Sequence, residues 1–315
     1  MRQRVFPEFE AERKDPAMGG DKNRERLGGV FPPIPTPFVN DEVAYDKLAE
    51  NIGRWNGTLI KGYVVLGSNG EFPYLTADEK TRIIETVVEA AKPAGKVIIA
   101  GVSSESARGT IVQAKQAAKL GADFAMALTP NYYKSKMTHD ALVAYYTAVA
   151  DASPIPVLVY SMPAYAGITI QPQTIAKLSE HPNIAGMKDS GGVLPLTGAY
   201  IEKSAPDFCV IAGSASFLYP GIAVGCKGGI LALANVLPEE CCRLYDLAMK
   251  GKREEAQELQ LKLLEPNKAV TAGYGIAGLK YAMELKGYFG GDVRLPLLPV
   301  EEDAKRDIEK IFKGF

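Results

Sequence analysis

A closed barrel of eight parallel strands, each followed by a helix, is the fold this sequence predicts, and three observations carry the expectation. From Gly28 onward, short β-branched or apolar runs alternate with stretches of helical period, with Gly, Ser, Thr or Pro at the joins. Eight such runs precede residue 237, and helical patterns alone follow it. The 315 residues suit one large barrel, an α/β architecture in which each helical crossover forces a parallel neighbour and the eighth strand closes the sheet. The competing open, doubly wound sheet calls for a glycine-rich turn after the first strand. The chain instead has Pro32-Pro33-Ile34-Pro35-Thr36-Pro37 there.

In order, residues 1–27 lack a clear period and read as a flexible arm. Its Glu8, Glu10, Glu12 and Asp15 speak against a cleavable signal or transit peptide. The barrel spans 28–236. Its strands are expected at Val30–Ile34, Gly62–Leu66, Lys96–Ala100, Asp123–Leu128, Pro156–Tyr160, Ile184–Lys188, Cys209–Ala212 and Gly228–Leu231. Helices are expected between them at Tyr45–Asn56, Thr76–Lys92, Ser106–Leu120, Thr138–Asp151, Pro172–His181 and Leu194–Ser204. Thr76-Ala77-Asp78-Glu79 forms a capping box, in which the first side chain takes the Glu79 amide and Glu79 reaches back. A helical extension, 237–315, follows with Pro238–Met249, Arg253–Leu264, Thr271–Lys286 and Glu301–Phe312. Ala256, Leu259, Leu263 and Leu264 share one face of it, which predicts packing on the barrel or a partner subunit.

Composition narrows the function. Net charge is −1 and no basic stripe stands out, so nucleic acid is not an expected partner. No apolar run approaches the ~20 residues of a transmembrane helix. Four cysteines, with Cys241 and Cys242 adjacent and no C-x-x-C spacing, read as reduced thiols in the cytoplasm. Only two histidines occur, His139 and His181, in separate segments, so no metal site is expected.

One stretch is placed for chemistry. Ile184 to Lys188 is a short apolar run ending in a single lysine, and Ser190-Gly191-Gly192 then turns the chain away. In a parallel barrel the carboxyl ends of the strands are where ligands bind. An amine hemmed in there by apolar walls is poorly hydrated, which favours the neutral form that attacks carbonyls. Tyr160 ends the preceding strand at the equivalent place and could relay protons for it. Gly67-Ser68-Asn69-Gly70-Glu71 follows the second strand, where amides and a hydroxyl can converge on a carboxylate, with Glu71 anchoring the turn. Each has an ordinary reading too: a surface lysine, a core tyrosine, a glycine turn.

Together, Gly67-Ser68-Asn69-Gly70-Glu71, Tyr160 and Gly186-Met187-Lys188-Asp189 resemble the dihydrodipicolinate synthase/N-acetylneuraminate lyase family of Schiff-base aldolases, and the likeness runs from about Gly29 to Leu297. The 28 residues from Tyr160 to Lys188 match the family's interval. Ser153-Pro154-Ile155-Pro156, His181-Pro182-Asn183-Ile184 and Glu265-Pro266-Asn267 are most similar to the 4-hydroxy-2-oxoglutarate aldolase branch. The resemblance implies a class I pyruvate-dependent aldolase, without metal or external cofactor, that cleaves 4-hydroxy-2-oxoglutarate to pyruvate and glyoxylate. It implies Lys188 as the imine-forming residue, Tyr160 as proton relay, and Ser68 and Asn69 as the carboxylate grip. Ser190 and Gly213 would line the site, and Tyr132 would enter a neighbouring subunit's site in a homotetramer built as a dimer of dimers. Some relatives are organellar, so a mitochondrial matrix location is the alternative for a eukaryotic source. One position departs. The synthases carry a carboxylate-binding arginine five residues after the strand-end tyrosine, where this chain has Tyr165, and a phenol cannot supply that fork. Dihydrodipicolinate synthase, or another 2-oxo acid lyase of the family, is the alternative activity.

Overall fold

The computed structural model describes residues 20–315, so most of the expected arm lies outside the described residues. Eight strands are present: β1 Gly29–Phe31, β2 Gly62–Val65, β3 Val97–Gly101, β4 Phe124–Leu128, β5 Val157–Ser161, β6 Ile184–Asp189, β7 Cys209–Ala212 and β8 Gly228–Ile230. Every neighbouring pair is parallel, and β1 pairs with β8 from Gly29↔Gly228 to Phe31↔Ile230. The seam between β1 and β2 is closed by Lys61 N to Val30 O (2.9 Å), Val64 N to Pro32 O and Ile34 N to Val64 O (both 3.0 Å). Pro32 thus contributes a carbonyl to a ladder that needs no N–H from it. The barrel is closed as expected.

Burial on both faces explains why these strands read as continuous apolar runs: every residue of β3, β4, β5 and β6 is buried. One apolar cluster fills the barrel, including Phe31, Ile99, Phe124, Leu158 and Ile211. A second, larger one lies between sheet and helices, with Trp55, Tyr146 and Tyr200. The Thr76 capping box forms, with Glu79 N to Thr76 Oγ1 at 3.2 Å and Thr76 N to Glu79 Oε2 at 2.8 Å. Helices Tyr45–Asn56 and Pro238–Met249 have the expected bounds.

Four features differ from expectation. The end of the arm is structured: Gly20–Leu27 is a helix whose Leu27 is fully buried in the barrel cluster, and Arg26 pairs with Asp123 at 2.5 Å. Phe38–Val39 and Glu42–Val43 form a hairpin whose Asn40 and Asp41 take positive φ. A helix at Leu218–Val224 follows β7, its period hidden by Pro220 and Gly221. The helix expected from Thr271 starts at Gly275, after a π-helical turn at Ala269–Gly273.

Candidate active site

Parallel pairing sets Tyr160 on β5 opposite Lys188 on β6, with Ser161 opposite Asp189. Both side chains are buried, Lys188 4% and Tyr160 3% exposed, and Lys188 Nζ lies 4.3 Å from the centre of the tyrosine ring. Among the described residues, Lys188 takes part in no ion pair. Strand alternation explains why adjacent Asp189 does not neutralise it. The Asp189 carboxylate instead accepts Gly191 N at 2.9 Å and Thr197 Oγ1 at 2.7 Å, pinning the loop after β6.

The turn after β2 reaches this pair. Tyr160 Oη and Ser68 Oγ are 3.3 Å apart, so three residues singled out from sequence converge. Gly70 N to Gly67 O (3.0 Å) and Glu71 N to Ser68 O (3.1 Å) close the turn, leaving the Ser68 and Asn69 amides outside its own bonds. The Asn69 side chain is spent on the Pro33 carbonyl at 3.2 Å. Glu71 is an anchor, as expected: its carboxylate meets Lys280 Nζ at 2.7 Å and the Arg294 amide at 2.9 Å.

Ser190 and Gly213 meet at the ends of β6 and β7. Gly213 N donates to Asp189 O at 2.7 Å, and a Cβ at Gly213 would stand 2.1 Å from Ser190 Oγ. That hydroxyl is buried with no hydrogen-bond partner among the described residues. Tyr132 stands apart. It is 77% exposed, its amide bonds Glu105 Oε2 at 2.8 Å, and its ring packs edge-on to Tyr133.

A cavity of about 730 Å³ adjoins the trio, walled by Ser68, Phe72, Leu128, Tyr165 and Ile276. Neither Lys188 nor Tyr160 lines it; Ser68 joins the two spaces, against Tyr160 on one side and the cavity on the other. Burial, then the Tyr160 phenol, hold the Tyr165 hydroxyl above its ordinary value. The histidines do other work: His139 Nδ1 bonds Thr174 at 2.9 Å, and His181 Nε2 bonds Asp151 at 3.0 Å. No group of three or more His, Cys, Asp or Glu among the described residues is placed to hold a metal, and none of their helices is long and apolar enough to cross a membrane.

Sequence reasoning missed Lys280, Arg294 and Ile276, all from the C-terminal extension. Lys280 left a signal, a charge inside the apolar run Gly275–Leu285, where it is only 2% exposed. Arg294 left none.

The sequence model of the dihydrodipicolinate synthetase family matches residues 26–314. An uncharacterized DapA-like lyase of Halobacterium salinarum is 38% identical over 285 residues, 90% of this chain and 92% of that protein. A 4-hydroxy-tetrahydrodipicolinate synthase of Geotalea uraniireducens is 36% identical over 289 residues, 91% of this chain and 98% of that protein. A crystal structure of a dihydrodipicolinate synthase superposes with a TM-score of 0.86 at 31% identity, covering 91% of this chain and 99% of the other.

Proposed function

This chain belongs to the dihydrodipicolinate synthetase family, and from that premise we propose that Lys188 forms an imine with pyruvate and uses it to make or break a carbon–carbon bond. The protein is an enzyme of the lyase class, and its family works through a lysine Schiff base with no external cofactor. The observation that supports Lys188 for this role is its buried amine, without an ion pair among the described residues and 4.3 Å from the Tyr160 ring.

In this reading the amine attacks C2 of the 2-oxo acid. Tyr160 passes a proton from the nitrogen to the former carbonyl oxygen, then donates its phenolic proton to that hydroxyl so that it leaves as water and the iminium forms. The carboxylate lies on the Ser68 hydroxyl and the Ser68 and Asn69 amides, and Ser190 and Gly213 line the space behind it. Loss of a C3 proton gives an enamine that bonds to an aldehyde carbon. In the reverse direction the C3–C4 electron pair flows into the iminium while Tyr160 takes the 4-hydroxyl proton and passes its own phenolic proton to the bound carboxylate. We assign these steps to the barrel, 28–236, with the extension, 237–315, walling the mouth.

The names of the relatives support a synthase, with aspartate semialdehyde as the aldehyde. Tyr165 stands on the cavity wall at the place where the synthases carry their arginine, and that departure keeps a second reading in view, cleavage of 4-hydroxy-2-oxoglutarate to pyruvate and glyoxylate. Assays with each compound separate them. Pyruvate consumption with aspartate semialdehyde supports the synthase; pyruvate release from 4-hydroxy-2-oxoglutarate without semialdehyde turnover supports the aldolase; activity with neither rejects both. We further place Tyr132 in the site of a second subunit of a tetramer. A Tyr132→Ala protein that stays fully active would remove it from that role.

A further inference from the structure

The turn that carries Ser68 and Asn69 is bracketed by two residues in a conformation they disfavour. Leu66 has φ 56° and Glu71 φ 54°, both left-handed and neither a glycine. Such backbone persists only where the surroundings over-determine it. On one flank, Gly101 makes room: a Cβ there would stand 2.0 Å from the Leu66 carbonyl. On the other flank are Thr36 and Lys280. Buried Thr36 Oγ1 donates to Gly70 O at 2.8 Å. Lys280 Nζ meets the fully buried Glu71 carboxylate at 2.7 Å, donates to the Asp292 carbonyl, and lies 4.6 Å from the centre of the Phe38 ring. The second Glu71 oxygen is taken by the Arg294 amide.

Glu71 borders the cavity, but its carboxylate is fully buried on Lys280 and the Arg294 amide, and the Lys280 ammonium on Glu71 and the Asp292 carbonyl, so both charged groups are held by the protein. A buried ion pair is also a poor source of net stability, since desolvation offsets the attraction, yet losing one partner strands a buried charge. What it supplies is a single conformation. We propose that the Lys280–Glu71 pair, aided by Thr36, is a positioning clamp that holds the Ser68–Asn69 turn in the shape that captures the 2-oxo acid carboxylate. The inference rests on the imine reading above and adds to it residues that touch no substrate. It ties the site to the extension: Lys280 stands 209 positions after Glu71.

The test is the pyruvate dependence of borohydride trapping at Lys188, read beside kcat at saturating pyruvate. Lys280→Met should raise the half-saturating pyruvate concentration about tenfold while kcat at saturation changes by less than about threefold, the signature of lost ground-state capture. Thr36→Val leaves the ion pair intact and should raise it about threefold, which keeps the test open if Lys280→Met does not fold. The double variant Glu71→Gln/Lys280→Met removes both buried charges; it should fold and still capture pyruvate weakly. Variants that melt earlier but trap pyruvate with unchanged half-saturation overturn the clamp, as does a fall in kcat with KM unmoved. Wild-type protein that traps no pyruvate rejects the imine reading itself, a distinct outcome.

Discussion

Two lysines of this molecule are almost equally buried, and they differ in what surrounds the amine. Lys188 lies near the end of β6 against the face of Tyr160, with no carboxylate paired to it among the described residues. Lys280 lies inside the extension with Glu71 at 2.7 Å, the Asp292 carbonyl as a second acceptor and the Phe38 ring alongside. Burial pulls Lys280 below an ordinary lysine and Glu71 opposes the shift. An ammonium paired with a carboxylate and seated on a carbonyl must give up those contacts before it can offer a lone pair to a substrate. Burial alone therefore does not make a nucleophile. What separates the reactive lysine from the structural one is the absence of partners, which strand alternation arranges by turning Asp189 toward Thr197.

The sharpest way to break this comparison is at Lys188. Lys188→Ala should abolish turnover, and a variant retaining more than a trace of activity would move the chemistry elsewhere. Next is the phenol. Tyr160→Phe keeps the ring beside the amine and removes only the hydroxyl, so rates should fall by roughly 10²–10⁴ while the protein remains folded. An unchanged rate would strike Tyr160 from the relay. Gly213→Ala places a methyl 2.1 Å from Ser190 Oγ, displacing the end of β6 that carries the lysine. A loss of roughly 1–3 kcal/mol in unfolding free energy, with lowered activity, is expected. Wild-type stability in that variant would show that β6 tolerates the shift.

The smallest effect lies on the clamp side. Arg294 grips both Glu79 oxygens, at 2.8 and 2.9 Å, and holds the Glu79 carboxyl below its ordinary value. A folded carboxyl held below its unfolded value contributes stability that is present above the unfolded value. It is lost as pH falls through the folded one. Glu79→Gln should therefore flatten the acid limb of the stability profile, removing about 1 kcal/mol at neutral pH and little at strongly acid pH. Equal destabilisation at both pH values would contradict this assignment.

Much of the barrel was legible because its strands are buried on both faces. An apolar run such as Cys209–Ala212, fixed at both ends, records that burial directly. Lys188 and Tyr160 were legible as partners because repeating units place equivalent strand ends side by side, and the observed register does so. Other features left weaker traces. Asn40 and Asp41 adopt the positive φ of a tight hairpin, but two polar residues between short apolar pairs are easily read as loop. Pro220 and Gly221 masked a helix. Contacts such as Glu71 with Lys280, or Glu71 with Arg294 some 223 positions later, leave no periodicity to read. Tyr132 was singled out only by resemblance, and its exposed ring has no partner in the trio of one chain.

The contrast between the two lysines can be tested in one experiment. Incubate the protein with pyruvate, reduce with borohydride, digest, and locate the added mass. The account predicts a single pyruvate-derived adduct on the peptide carrying Lys188 and none on Lys280; mass on Lys280, or no adduct at all, would contradict it.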